Sequence, residues 1–427
     1  MSLGESGSGP PRRVGAPAAR RLTRNVLLLS AVSLLTDLSS EMSLTFLPFF
    51  LANVLGAKTA VIGVVEGVAD SAASLTRLLS GWLSDRWQAR KGLVIAGYAV
   101  SSLSRPFLFL ASSWTTVLGV RFADRVGKGV RTSPRDALLA ASTPVEARGL
   151  SFGFHRASDT AGAFLGLLGV ALVVYLSEGW AARLQLGAYR NLVLVAIIPA
   201  FLAVVVLFWV RELPPKQPRE AATADPPAKL APRFRLYLVA AGLFSLANSS
   251  DAFLLLRTQN LGLGMVWIAL LLAGFNLTYS LVAYFSGGHS DKVGRPAVLR
   301  VGWLVYALTY LGFGLAKSAW QVWPLFALYA LYYGLAEGTA RALVADLVPD
   351  ENRGMAYGIY NTVVGITALP ASLLAGLVWQ GMAGWGGWGA SAPFYLGGAL
   401  AAAALVVFEV SMRGFQHPGA APSSNAR

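Results

Sequence analysis

The chain has 427 residues, 55% of them hydrophobic and 13% charged, with a formal net charge of +14 and no cysteine. A soluble protein of this size carries about twice that charged fraction, so composition excludes an ordinary water-soluble enzyme. The missing cysteines exclude disulfides and thiolate metal sites, and the excess positive charge does not mark a nucleic-acid surface, because it is confined to short segments between long apolar runs.

In chain order, residues 1–24 are rich in Gly, Pro, Ala and Arg and lack an apolar core followed by a cleavage site. They are expected to be a disordered cytoplasmic N-terminus, not a cleaved signal peptide. The first half, residues 25–211, holds six apolar helices at 25–53, 60–83, 93–112, 115–141, 149–177 and 191–211. Helix 1 carries Asp37 and Glu41, and helix 2 carries Glu66 and Asp70, each pair four apart. Two readings stay open for these carboxylates. Desolvation favours the neutral acid, which makes such groups proton carriers; alternatively they neutralise the cations of helix 4. Asp37, near mid-depth of helix 1, is the foremost candidate for proton coupling. Helix 2 ends in a charged segment, Gly81-Trp82-Leu83-Ser84-Asp85-Arg86, running on to Arg90-Lys91.

Helix 4 is the densest element. Arg121, Asp124, Arg125, Lys128, Arg131 and Arg135 recur at steps of three and four, which places them on one face. Such a stripe must face inward. Arg121, Arg125 and Lys128 read as a cationic wall for an anionic or carbonyl-bearing substrate, with Asp124 paired to one of them. Arg131, Arg135 and Asp136 read as a clamp on the charged loop, Asp85 being one partner. Helix 5 holds His155, Arg156 and Asp159, with Arg156 or His155 able to pair with Asp159, which is a further candidate for proton coupling, before the small-residue run Gly162-Ala163 to Gly166.

Residues 212–235 form a basic linker, rich in Pro, Ala and charge over Glu212–Leu230. The second half, residues 236–411, holds helices at 236–258, 265–287, 298–316, 320–346, 355–380 and 393–411. Asp251 on helix 7, Asn276 and Tyr279 on helix 8, Glu337 and Arg341 on helix 10 and Asn361 on helix 11 are its candidate substrate contacts, alongside Arg156 from the first half. Glu337 and Arg341, four apart, are expected to pair. A second charged segment, Gly287-Gly288-His289-Ser290-Asp291-Lys292, runs on to Gly294-Arg295. Gly381–Ser391 reads as a turn, Trp114, Trp320 and Trp385 as interfacial anchors, and residues 412–427 as a disordered cytoplasmic tail. The basic loops alternate along the chain, so the positive-inside rule puts both termini and the linker in the cytoplasm of a bacterial inner membrane.

The two charged segments lie close to half a chain apart. A second pair repeats at nearly the same offset: Pro144, Arg148-Gly149 and Gly153 against Pro349, Arg353-Gly354 and Gly358. Duplicated halves are how many secondary transporters are built. The whole pattern, residues 25–411, resembles the major facilitator superfamily, whose Gly-x-x-x-Asp-(Arg/Lys)-x-Gly-(Arg/Lys) signature lies between helices 2 and 3 with a weaker copy between helices 8 and 9. The first copy departs from it at Ala89, roughly where the family has Gly. Arg121, Gly127 and Pro134 match the family's helix 4 motif; Gly162 and Gly166 resemble the helix 5 motif of drug exporters, with Ala163 in place of its proline. The run from Asp124 to Asp136 looks like a prokaryotic subgroup of unassigned substrate. The resemblance implies an all-α fold of twelve helices in two pseudo-symmetric bundles. It also implies a gating role for Gly81, Asp85, Arg86, Arg90, Gly287, Asp291 and Arg295.

The reading is a proton-coupled secondary transporter working by alternating access and exporting a drug-like or toxic compound. Transport of an organic anion or phosphorylated metabolite in either direction is the alternative, and a transport-dead sensor or scaffold the competitor from another class. No P-loop or nucleophile–base pairing is legible. Hence no enzyme activity, no cofactor and no metal are expected, and the expected partners are a small molecule, protons and lipid, around a monomer.

Overall fold

The computed structural model describes residues 22–87, 90–144, 147–212, 231–349, 353–382 and 384–413; for 78, 82, 85–87, 287–292 and 354 only the backbone is described. The expected N-terminus, linker and tail lie almost wholly outside the described residues, as do Ala89 and the side chains of Asp85, Arg86 and Asp291. Among the described residues there is no strand.

The first bundle contains α1 (Arg24–Leu44, continued by Leu47–Phe49 and Phe50–Val54), α2 (Thr59–Trp87), α3 (Arg90–Ser104, continued by Arg105–Leu108), α4 (Trp114–Ala141), α5 (Arg148–Glu178) and α6 (Leu186–Leu207). The second contains α7 (Pro232–Ala247 and Ala252–Asn260), α8 (Met265–Val293), α9 (Arg295–Leu315), α10 (Val322–Asp346), α11 (Arg353–Gln380) and α12 (Ala392–Met412). By length and apolarity 8 of these are long and apolar enough to cross a membrane. The remainder, α2, α3, α4 and α10, carry the polar face of the molecule, or in α3 a short helix. Large apolar side chains such as Leu176, Ile198 and Val406 point outward, where only lipid suits them.

Both charged segments differ from expectation. α2 runs through Gly81 to Trp87 and α8 through Gly287 to Val293, so the motif residues end helices and do not form loops. The second turn is reduced to Gly294, whose φ of 97° suits glycine. Arg295 then opens α9 and binds Asp346 and the Ala342 carbonyl at the end of α10, clamping the second bundle internally.

Within the first bundle α1 packs on α5 and α6, and α4 on α2 and α3; the second bundle repeats the scheme with α7 on α11 and α12, and α10 on α8 and α9. Small residues set these approaches: a Cβ on Gly162 would run into the Leu34 backbone of α1. The bundles meet along α2 with α11 and α5 with α8. The end of the molecule away from the motifs is tied shut across this seam. Thr59 Oγ1 donates to the Gly376 carbonyl at 2.8 Å, Met265 N to the Ala181 carbonyl at 3.0 Å, and Trp180 stacks on Trp267 with centroids 5.4 Å apart. Trp114, Trp320 and Trp385 are exposed near helix ends.

Candidate functional site

A cavity of about 340 Å³ lies between the bundles at mid-depth. Its first-bundle wall is the polar stripe of α4 with the carboxylates of α1 and α2, as the helical spacing requires. Arg121, Asp124, Arg125, Lys128 and Arg131 line it together with Asp37, Glu41, Glu66, Asp70 and Arg105. Most of these charges are already matched. Arg121 Nη2 lies 2.6 Å from Glu66 Oε2, and Arg125 Nη2 lies 3.4 Å from Asp70 Oδ1. The two α2 carboxylates therefore neutralise α4 cations.

Asp124 does not pair with a neighbour on its own helix, contrary to expectation. Its partner is Arg105 on α3, 3.3 Å away and 1% exposed, which also donates to Ser39 Oγ. Arg121 and Arg125 are taken by the α2 carboxylates, and Arg105 reaches Asp124 from the short turn Arg105–Leu108 that ends α3. Arg131 donates to Ser101 Oγ at 2.5 Å and lies over the Tyr98 ring, 4.4 Å from its centroid. Arg135 pairs with Asp136, 2.9 Å away. Neither arginine is spent on a clamp within the described residues.

Besides Arg131, four charged groups of this cavity lie outside the described ion pairs. Asp37 and Lys128 have no hydrogen-bond or ion-pair partner among the described residues. Glu41 accepts only the Thr45 hydroxyl, at 2.5 Å. Asp251 accepts the Tyr329 hydroxyl at 2.6 Å. Asp251 stands where α7 breaks between Ala247 and Ala252, and the freed Ser250 N–H is taken by Ser372 Oγ at 3.2 Å. Irregular backbone at membrane depth is tolerated where it lines a cavity. Apart from Ser250 and Asn276, the rest of the second-bundle wall is apolar and aromatic, with Leu254, Leu255, Leu272, Phe275, Phe326 and Tyr329. Phe275 and Tyr329 stack with centroids 5.7 Å apart. Isolated rings in apolar helices carry no sequence signal, which is why this wall is invisible without the fold.

The remaining expected contacts lie elsewhere. Arg156, Tyr279, Glu337 and Arg341 do not reach the central cavity; they line a second one of about 470 Å³ nearer the motif end. Asn361 lines neither described cavity. Asp159 is also outside both, 3.8 Å from Nε2 of the buried His155. Gly81 faces Ser133 of α4, where a Cβ would still fit, 3.6 Å from its hydroxyl, and Arg90 Nε is buried with no hydrogen-bond partner among the described residues.

The sequence matches the Major Facilitator Superfamily over residues 29–369 and again over 237–425. An uncharacterized MFS-type transporter of Methanocaldococcus jannaschii is 34% identical over 368 residues, covering 84% of this chain and 90% of its own. A multidrug resistance protein of Citrobacter koseri is 34% identical over 113 residues, covering 26% of this chain and 28% of its own. Among solved structures, an inward-facing, occupied bacterial homologue of the human lysosomal transporter Spinster superposes with a TM-score of 0.74 at 15% identity, over 91% of this chain and 96% of that one.

Proposed function

Because the chain belongs to the major facilitator superfamily and is a multi-pass membrane transporter of small molecules, we propose that it is a proton-coupled exporter of amphiphilic, drug-like compounds. The observation that carries this reading is the division of the central cavity. One wall is charged but internally neutralised by three ion pairs, and the other is aromatic around the single carboxylate Asp251. A ring stack beside a carboxylate suits a molecule with an apolar body and a cationic or neutral polar end. Asp37 and Glu41, free of ion pairs, are the groups to carry protons; Glu66 and Asp70 are committed to arginines. The basic segments at the motif end support an orientation with that end on the cytoplasmic side of an inner membrane; compounds then enter the cavity from inside, and the motif residues, Arg295 among them, govern that opening.

Lys128 supports a second reading. Its ammonium has neither an ion pair nor a hydrogen bond among the described residues, and once Asp37 and Glu41 are protonated it would favour an organic anion, moved with the proton and not against it. The direction of proton movement separates the two. In proteoliposomes, a gradient of an amphiphilic cation should drive protons the opposite way. An organic-anion gradient carrying protons the same way, with no response to cations, establishes the second reading instead. Absence of both, together with absence of binding, would leave a sensor or scaffold.

A further inference from the structure

We propose that the second cavity is an oxyanion site, separate from the central cavity, that takes a small soluble carboxylate or phosphate. Two guanidinium groups reach it from opposite bundles, Arg156 from α5 and Arg341 from α10. Among the described lining residues Glu337 is the one carboxylate. Its Oε2 accepts the Tyr279 hydroxyl at 2.7 Å, and its Oε1 lies 3.8 Å from Arg341 Nη2, at the outer limit of an ion pair. Among the described residues Arg156 bonds to the neutral Tyr279 hydroxyl alone, 2.8 Å away; the acid on its own helix, Asp159, lies against His155. The described charged lining of this cavity therefore carries one more cation than anion. Arg156 and Arg341 are both exposed, so a soluble ligand can reach them, and the planar fork of N–H donors on each matches a carboxylate or phosphate.

The volume of about 470 Å³ falls in the range of small-molecule sites, about 300–1,000 Å³. The Tyr279 and Tyr333 rings, set edge to face with centroids 6.0 Å apart, give it an aromatic side, so an aryl carboxylate should bind best. Glu337 is then a tethered competitor for the same cations. An anion on Arg156 also displaces Tyr279, one of the polar ties between the bundles, so occupancy loosens the seam toward the motif end. None of this depends on what the central cavity carries.

The chain has no cysteine, which makes a direct test available. Gly338 lines the cavity, and a Cβ there meets nothing within 4 Å, so Gly338→Cys places a single thiol in the site. The measurement is the rate of maleimide labelling of the full chain in neutral detergent, with benzoate, inorganic phosphate or chloride at matched ionic strength, and in nanodiscs containing phosphatidylglycerol. Benzoate and phosphate should slow labelling saturably, and chloride should not. Added to Gly338→Cys, Arg156→Gln and Arg341→Gln should each weaken this protection about tenfold, and Glu337→Gln should strengthen it by a similar factor. The opposite sign separates a binding site from general damage, which would move all three variants the same way. No protection by soluble anions, protection by the anionic lipid alone, or weaker protection in Glu337→Gln would overturn the proposal.

Discussion

At the residue scale, what matters is which charges are spent on one another. Glu66 and Arg121 are both buried and lie 2.6 Å apart. Removing one partner of such a pair leaves an uncompensated charge and costs about 3–5 kcal/mol. Glu66→Gln should therefore lower thermal stability by that order, read from the melting temperature in detergent. Asp37 has no such partner, so Asp37→Asn should keep stability within about 1 kcal/mol while proton movement is lost. A normal melting temperature for Glu66→Gln would show that the pair is not structural. The face of α4 is legible in the sequence because helical periodicity is local. The partners are not, because Arg105 meets Asp124, and Glu66 meets Arg121, only once three helices are packed.

At the element scale, close helix approach depends on a few small residues. Gly162 and Gly153 both lie on α5, but a Cβ on Gly162 meets the Leu34 backbone and one on Gly153 meets nothing within 4 Å. Gly162→Val should destabilise by about 1–3 kcal/mol through overpacking, and Gly153→Val should stay within about 1 kcal/mol, as thermal unfolding would show. Equal effects would mean that α1 and α5 tolerate separation. Helix positions are readable from sequence to within a few residues because apolar runs and Gly/Pro turns are strong local signals. The ends of α2 and α8 are not: polar motif residues read as loop, yet tertiary packing continues both helices through them. Asn276 and Tyr279 show the same limit, since they lie three residues apart on α8 but line different cavities.

At the scale of the whole molecule, the seam between bundles is tied at the end away from the motifs by backbone and side-chain hydrogen bonds. Alternating access requires those ties to break. The Met265 N to Ala181 O bond of 3.0 Å brings the two backbones close enough for a disulfide. In the cysteine-free chain, Ala181→Cys with Met265→Cys should arrest transport on oxidation and restore it on reduction; undiminished transport by the oxidised form would refute rocking about this seam. The duplication and the division into halves are visible in the repeated motifs. The split of the candidate residues into two cavities is not, because it depends on how the halves face each other. The central claim is that the unpaired α1 carboxylates couple protons to export while the α4 arginines are structurally committed. The most direct test is proton movement in proteoliposomes under an amphiphilic-cation gradient, comparing the native chain with Asp37→Asn/Glu41→Gln. The account predicts protons moving opposite to the cation in the native chain, and cation movement without protons, or none, in the variant. Proton movement unchanged in the variant would contradict it.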